Sequence, residues 1–128
     1  MRRIAGAADP ARLRARRRGR FAEGLCRWHL RLHGWRILAA DWRCPSGEID
    51  IVARRRGVLA MIEVKSRPDH AAGVYALQPR QRRRIVRTAE AFLLARPDLA
   101  ALTVRFDVMV VMPRRLPLHL QSAWRTDD

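Results

Sequence analysis

Between Glu48 and Met112 the chain spells out a single arrangement. Two strand-like runs, Glu48 to Ala53 (EIDIVA) and Val58 to Val64 (VLAMIEV), flank the short basic connection Arg54-Arg55-Arg56-Gly57. The first run alternates polar and apolar residues. The second is nearly all apolar, as a strand buried on both faces would be. A connection this short fits a hairpin. From Pro79 to about Ala95 the apolar residues Ile85, Ala89, Phe92 and Leu93 recur at helical spacing, with proline in the first turn and Pro97 just beyond the end. Thr103 to Met112 (TVRFDVMVVM) is then another central strand. A hairpin, a helix and one more buried strand leave little choice of topology. The helix serves as a crossover, and the last strand runs parallel to the Val58 strand in the same sheet.

The flanking segments complete the layers. Phe21, Leu25, Trp28 and Leu32 fall at i, i+4, i+7 and i+11, one stripe of an amphipathic helix running from Arg20 to about His33, and Gly34 is a natural stop. Trp35 to Trp42 reads as a first strand, and Cys44-Pro45-Ser46-Gly47 is turn chemistry. Residues 66–75 read as a loop, and Leu116 to Trp124 as a short edge strand. The expectation is an α/β fold, a three-layer α/β/α sandwich around a mixed sheet of four to five strands. Residues 1–18, broken by Asp9-Pro10, read as a flexible basic arm, and residues 19–128 as a single domain.

Charge narrows the function. The 128 residues carry 27 Lys+Arg against 12 Asp+Glu, a formal charge of +15. Only +7 of this lies in residues 1–20, so the folded part is basic without its arm. A polyanion partner is implied, nucleic acid first. No apolar run approaches the ~18 residues of a membrane span, and the charged N-terminus is followed by no apolar segment of a secretory signal. Cys26 and Cys44 are expected as reduced thiols, and no Cys/His group has zinc spacing. A cytoplasmic protein with no membrane partner follows as the expectation.

The chemistry resides in the two strands of the hairpin. Side chains alternate across a strand, so Glu48 and Asp50 share one face, with Ile49 and Ile51 on the other. Glu63 and Lys65 likewise share a face. A two-residue turn at Arg55-Arg56 sets Asp50 opposite Met61 and diagonal to Glu63; a four-residue turn sets it directly opposite Glu63. Either register gathers two carboxylates and a lysine on one face. A bulge that shifted the register by one would separate them. Two adjacent carboxylates repel unless one is protonated or a cation lies between them. Mg²⁺ is held by one or two carboxylates plus water, and a neighbouring lysine can orient water and stabilise charge on a phosphate. That is an apparatus for phosphodiester hydrolysis.

These residues carry a resemblance. Gly47-Glu48-Ile49-Asp50, with Asp50 thirteen residues before the Glu63 of Glu63-Val64-Lys65, resembles the split acidic motif of the PD-(D/E)xK, or restriction-endonuclease-like, nucleases. Gly19 and Glu23 opening the first helix, GEIDIVA, IEVKSR, RRRIVRTA and Arg105-Phe106-Asp107 together resemble the YraN family of small bacterial proteins, related in fold to archaeal Holliday-junction resolvases. The resemblance spans roughly residues 19–124. It implies that Asp50 and Glu63 hold Mg²⁺ or Mn²⁺, with the Val64 carbonyl as a third ligand, that Lys65 positions water, and that Glu23 adds an acidic group from the first helix. Where relatives carry a lysine at the start of the second helix, this chain has Gln81, four residues before Ile85 and so on the sheet-facing stripe.

Other readings stand beside this one. Glu23 can pair with Arg27 at i, i+4; Glu48 reads as a spare carboxylate at a strand start; Asp107 reads as a structural partner of Arg105 or another basic group. Arg80, Arg82, Arg83, Arg84 and Arg87, with Arg16, Arg17 and Arg18 of the arm, form a candidate phosphate-binding surface. Lys65 is the one lysine among the 27 basic residues. Arginine serves wherever any positive charge suffices, but it substitutes poorly for a compact ammonium beside a hydrated metal. The expected function is a metal-dependent endonuclease acting on structured or branched DNA in repair or recombination, where two-fold substrates would suit a homodimer. The alternatives are a non-catalytic nucleic-acid-binding module with a vestigial site, and a protein-interaction role for the basic arm.

Overall fold

A computed structural model describes residues 9–68 and 77–126. The elements run α1 (Pro10–Leu32), β1 (Arg36–Cys44), β2 (Gly47–Arg55), β3 (Val58–Ser66), α2 (Pro79–Ala95), a 3-10 turn at Pro97–Leu99, β4 (Thr103–Val111) and β5 (Leu118–Trp124). The five strands form one mixed sheet in the order β1-β2-β3-β4-β5. Only the β3–β4 pairing is parallel, and α2 supplies its crossover.

The two faces of the sheet bury different helices. On one face Ile85, Ala89 and Phe92 of α2 pack with Val52, Leu59, Met61, Phe106, Val108 and Val110. On the other, Ala22, Cys26 and Leu30 of α1 pack with Ile51, Ala53, Ala60, Ile62, Met109 and Val111. Alternation along β3 and β4 therefore feeds both cores, which explains why these strands read as continuous apolar runs.

Three expectations need correction. α1 begins at Pro10, not Arg20, so residues 10–18 of the expected flexible arm are helical. Asp9 is the reason, because its Oδ1 accepts a hydrogen bond from the Ala11 N–H at 3.0 Å and Pro10 occupies the first turn. The Asp9-Pro10 pair starts a helix here and does not break one. The remainder of the arm, residues 1–8, lies outside the described residues, as do residues 69–76 of the expected loop.

The second correction concerns which side of α1 is inside. Phe21, Trp28 and Leu32 are 68%, 55% and 63% exposed, while Ala22, Cys26 and Leu30 are buried. The sheet offers α1 the small side chains Ala53 and Ala60, and the narrow residues of the helix seat closely on that surface.

The third lies in β2. Ile49 belongs to the α2-side core and Ile51 to the α1-side core, so the simple alternation that put both on one face fails. The β2–β3 ladder runs from Arg55↔Val58 to Ile51↔Ile62. The turn is therefore the two-residue Arg56-Gly57, one position later than Arg55-Arg56, with the register of the second alternative considered from sequence, and Arg56 takes φ 55. The ladder's next position would set Asp50 against Glu63, and there the strands part.

Candidate active site

Five elements converge where that ladder ends. α1 contributes Glu23, β1 Asp41, β2 Asp50, β3 Glu63 and Lys65, and α2 Gln81 and Arg84. Asp41 lies across from Asp50, between the pairs Ala40↔Ile51 and Trp42↔Ile49, and holds φ 50. Aspartate tolerates that left-handed conformation better than most residues. Carboxylate oxygens of Glu23, Asp41 and Asp50 all lie within 4.8 Å of one another.

Asp50 is 8% exposed, and its Oδ2 accepts a hydrogen bond from the Val64 N–H at 2.8 Å. The side chain thus takes over a backbone donor that the parting strands leave behind, and this fixes its position. The Asp50 and Glu63 carboxyl groups line one cleft, and the charge of Asp50 helps to raise Glu63. Lys65 Nζ approaches Glu63 Oε1 at 3.6 Å. The bulge that would have separated Asp50 from Glu63 does not do so, even though alternation breaks at Ile49.

The α2 side of this cluster opens into a small cleft of about 150 Å³ lined by Gly47, Glu48, Asp50, Glu63, Gln81, Arg84 and Ile85. Gln81 thus lines the same cleft as the two carboxylates. Gly47 permits the close approach of β2 to α2. At φ +149 a Cβ there would meet Thr88 Oγ1 at 3.1 Å and the Arg84 side chain at 3.2 Å.

The electrostatics are those of an excess of acid. Burial, a hydrogen bond to Asp41 and the charge of Asp50 push Glu23 up to about 8. Burial raises Asp50 in spite of the Val64 N–H. Burial and the charge of Asp50 push Glu63 up to about 7, with Lys65 pulling the other way. Burial and mutual repulsion thus raise Glu23, Asp50 and Glu63 together in spite of Lys65 and Arg27, and a cation among them would favour their charged forms. The donor set is all oxygen, which fits a hard divalent cation such as Mg²⁺ or Mn²⁺. Glu23, Asp50 and Glu63 could hold it, with Asp41 beside them.

Asp41 was missed from sequence, although an aspartate inside an apolar strand run is a weak signal, since strands disfavour it. Glu48 is half-exposed and pairs with Arg43 at 2.7 Å, so it serves the rim of the cleft. Glu23 turns mainly toward Asp41 and Asp50, and Arg27 is its lesser neighbour. On α2, Arg80, Arg83, Arg84 and Arg87 are exposed, while Arg82 is partly buried and its Nε donates to the Leu77 carbonyl at 3.0 Å. On α1, Arg17 is exposed; the side chains of Arg16 and Arg18 lie outside those described.

The segment holding these residues can be compared with known proteins. The model of "Uncharacterised protein family UPF0102" matches residues 22–111, from just before Glu23 through β4. The chain belongs to this family. It is 48% identical over 126 residues to a UPF0102 protein of Paramagnetospirillum magneticum, covering 94% of this chain and 98% of that one. A UPF0102 protein of Parvibaculum lavamentivorans is 47% identical over 124 residues, 96% of this chain and 93% of its own. One from Bradyrhizobium sp. strain ORS 278 is 47% identical over 117 residues, 91% and 83% of the two chains. The resemblance to the YraN family thus holds at the level of the family. No described helix is long and apolar enough to cross a membrane.

Proposed function

We propose that this UPF0102 protein is a restriction-endonuclease-like, metal-dependent endonuclease that hydrolyses phosphodiesters in structured or branched DNA, in cytoplasmic repair or recombination. The observation that carries the reading is the meeting of Asp50, Glu63 and Lys65 beside Glu23, where burial and neighbouring acids push the Glu23 and Glu63 carboxyl groups up. In this reading Asp50 and Glu63 hold the ion, and Glu23 adds its carboxylate from α1. A bound Mg²⁺ or Mn²⁺ supplies Lewis acidity and neutralises charge on the phosphate.

The remaining work belongs to the chain. Lys65 is held by Glu63 at 3.6 Å, so its ammonium points one donor at the carboxylate and keeps others for the attacking water and a phosphoryl oxygen. Gln81 presents an amide to the cleft and can donate to a phosphate oxygen without adding charge. Arg84, on the cleft wall, binds the adjacent phosphate bidentately. The basic face of α2 and the basic N-terminal stretch hold the rest of the polyanion.

A cleavage screen on single-stranded, duplex, flap and four-way DNA with Mn²⁺ tests this. Cleavage is expected on at least one branched substrate, falling about 100-fold or more in Lys65→Ala. Activity that persists undiminished in that variant belongs to a contaminant, and the enzyme reading then fails.

A further inference from the structure

The outward side of α1 carries a feature that the acidic site does not use. Arg17, Phe21, Gly24, Trp28 and Arg31 succeed one another at spacings of four, three, four and three, which places them along one line of the helix. Arg17 and Arg31 are exposed, and between them Phe21 and Trp28 stand 68% and 55% exposed. Aromatic rings of that size usually bury most of their surface. Here two of them stand outside the core, bracketed by guanidinium groups. Phe21 also borders an apolar groove of about 840 Å³ whose far wall is the β4–β5 connection, Met112 to Leu116, with Arg114 and Arg115 on its rim.

We infer that this line of α1 is a stacking platform for unpaired nucleotides, the single-stranded part of a branched substrate. The inference rests on the endonuclease reading for its substrate, and its geometry is independent of the metal. Two observations favour nucleic acid over other occupants. The formal charge of +15 opposes a second copy of the chain on an equally basic surface. The arrangement of ring, ring and flanking cations is the one that binds single strands, with bases on the rings and phosphates on the guanidinium groups. A rise of about 1.5 Å per residue separates the two rings by about 10 Å, or roughly three stacked-base steps of 3.4 Å. One strand can therefore meet both. Duplex DNA keeps its base faces inside and cannot use the rings.

The test compares binding of one oligonucleotide, single-stranded and as blunt duplex, in chelator so that no cleavage intervenes. Phe21→Ala/Trp28→Ala is expected to weaken single-strand binding about tenfold or more while duplex binding and the salt slope stay unchanged. Both residues are exposed, and circular dichroism checks that the variant is folded. Trp35 and Trp124 are buried at 4% and 7% exposure and Trp42 is partly buried against the core, so fluorescence quenching by the single strand should fall mainly on Trp28 and drop sharply in Trp28→Ala. Trp28→Tyr should restore most of the affinity. An unchanged single-strand affinity, or an equal loss on duplex, overturns the proposal. So does tight binding of an acidic amphipathic peptide that the single strand cannot displace. The two readings fail separately. A protein that stacks single strands but cleaves nothing loses the endonuclease reading alone, and one that cleaves with both rings removed at full single-strand affinity loses the platform alone.

Discussion

Asp107 and Asp50 are buried in the same sheet, 1% and 8% exposed, and they are treated in opposite ways. Asp107 is saturated with donors. Arg105 grips both of its oxygens at 2.9 Å, His119 Nε2 lies at 2.8 Å, and the Ser122 N–H donates at 3.0 Å. Burial alone would push its carboxyl up, but the bonds from His119, Arg105 and Ser122 overcome that and hold it below the usual carboxylate range. Asp50 receives one backbone N–H and otherwise faces acids, so burial wins and its carboxyl rises. Asp107 is tied to its surroundings as structure requires. Asp50 is left short of positive charge, as a group is when something outside the protein completes it.

That contrast can be broken at either end. The largest effect is expected at Asp107→Ala, which leaves Arg105 and His119 without their carboxylate and should cost about 3–5 kcal/mol in urea unfolding. Asp50→Asn should cost little or raise the stability of the metal-free protein, because it removes a repelling charge. If Asp50→Asn proves as damaging as Asp107→Ala, the two carboxylates are alike and the contrast fails.

Next in size is the response to metal. Mn²⁺ at a hundred times its dissociation constant should stabilise the wild type by about 2.7 kcal/mol, read as a rise in melting temperature that Asp50→Asn abolishes.

The pH dependence separates the two regions by sign. Glu23 and Glu63 titrate near about 8 and about 7, above their ordinary 4.5. The folded metal-free protein therefore holds more protons than the unfolded chain between those values, and its stability should fall as pH rises from about 5 to 8. Asp107, held low, contributes stability that is present above its ordinary 3.8 and lost only as pH falls below it. Urea midpoints at pH 5 and 8 in chelator check the slope, and a flat or rising profile contradicts it. Saturating Mn²⁺ should flatten it by displacing the protons.

The smallest effect is expected at Glu48→Ala. Its pair with Arg43 is exposed at 75% and 42% of the two side chains, and such pairs contribute about 0.5 kcal/mol or less. A large loss of metal binding in this variant would move Glu48 from the rim into the site.

Much of the site could be read from local spacing. Glu63 and Lys65 are two residues apart in a strand, and Gln81 is one helical turn from Ile85, so periodicity alone aims them. Asp107 and Arg105 share a strand face for the same reason. Asp41 could not be read this way. Its approach to Glu23 and Asp50 depends on a left-handed φ in β1 and on how α1 crosses the sheet. Nor could the irregularity at Ile49, which arises where a side chain replaces a strand partner for Val64.

The sequence by itself determined the order of elements, the parallel β3–β4 pairing and the placement of its single lysine beside an acidic pair. Those follow from periodicity and connection length, which are local properties. Only the tertiary structure decided which side of α1 is inside. The apolar stripe of Phe21, Trp28 and Leu32 lost that place to Ala22, Cys26 and Leu30, because the sheet beneath presents Ala53 and Ala60. A helix carries its own hydrophobicity, but the shape of the surface it meets selects the face that packs. That selection turned two aromatic rings outward, and it brought Glu23 to Asp41 and Asp50.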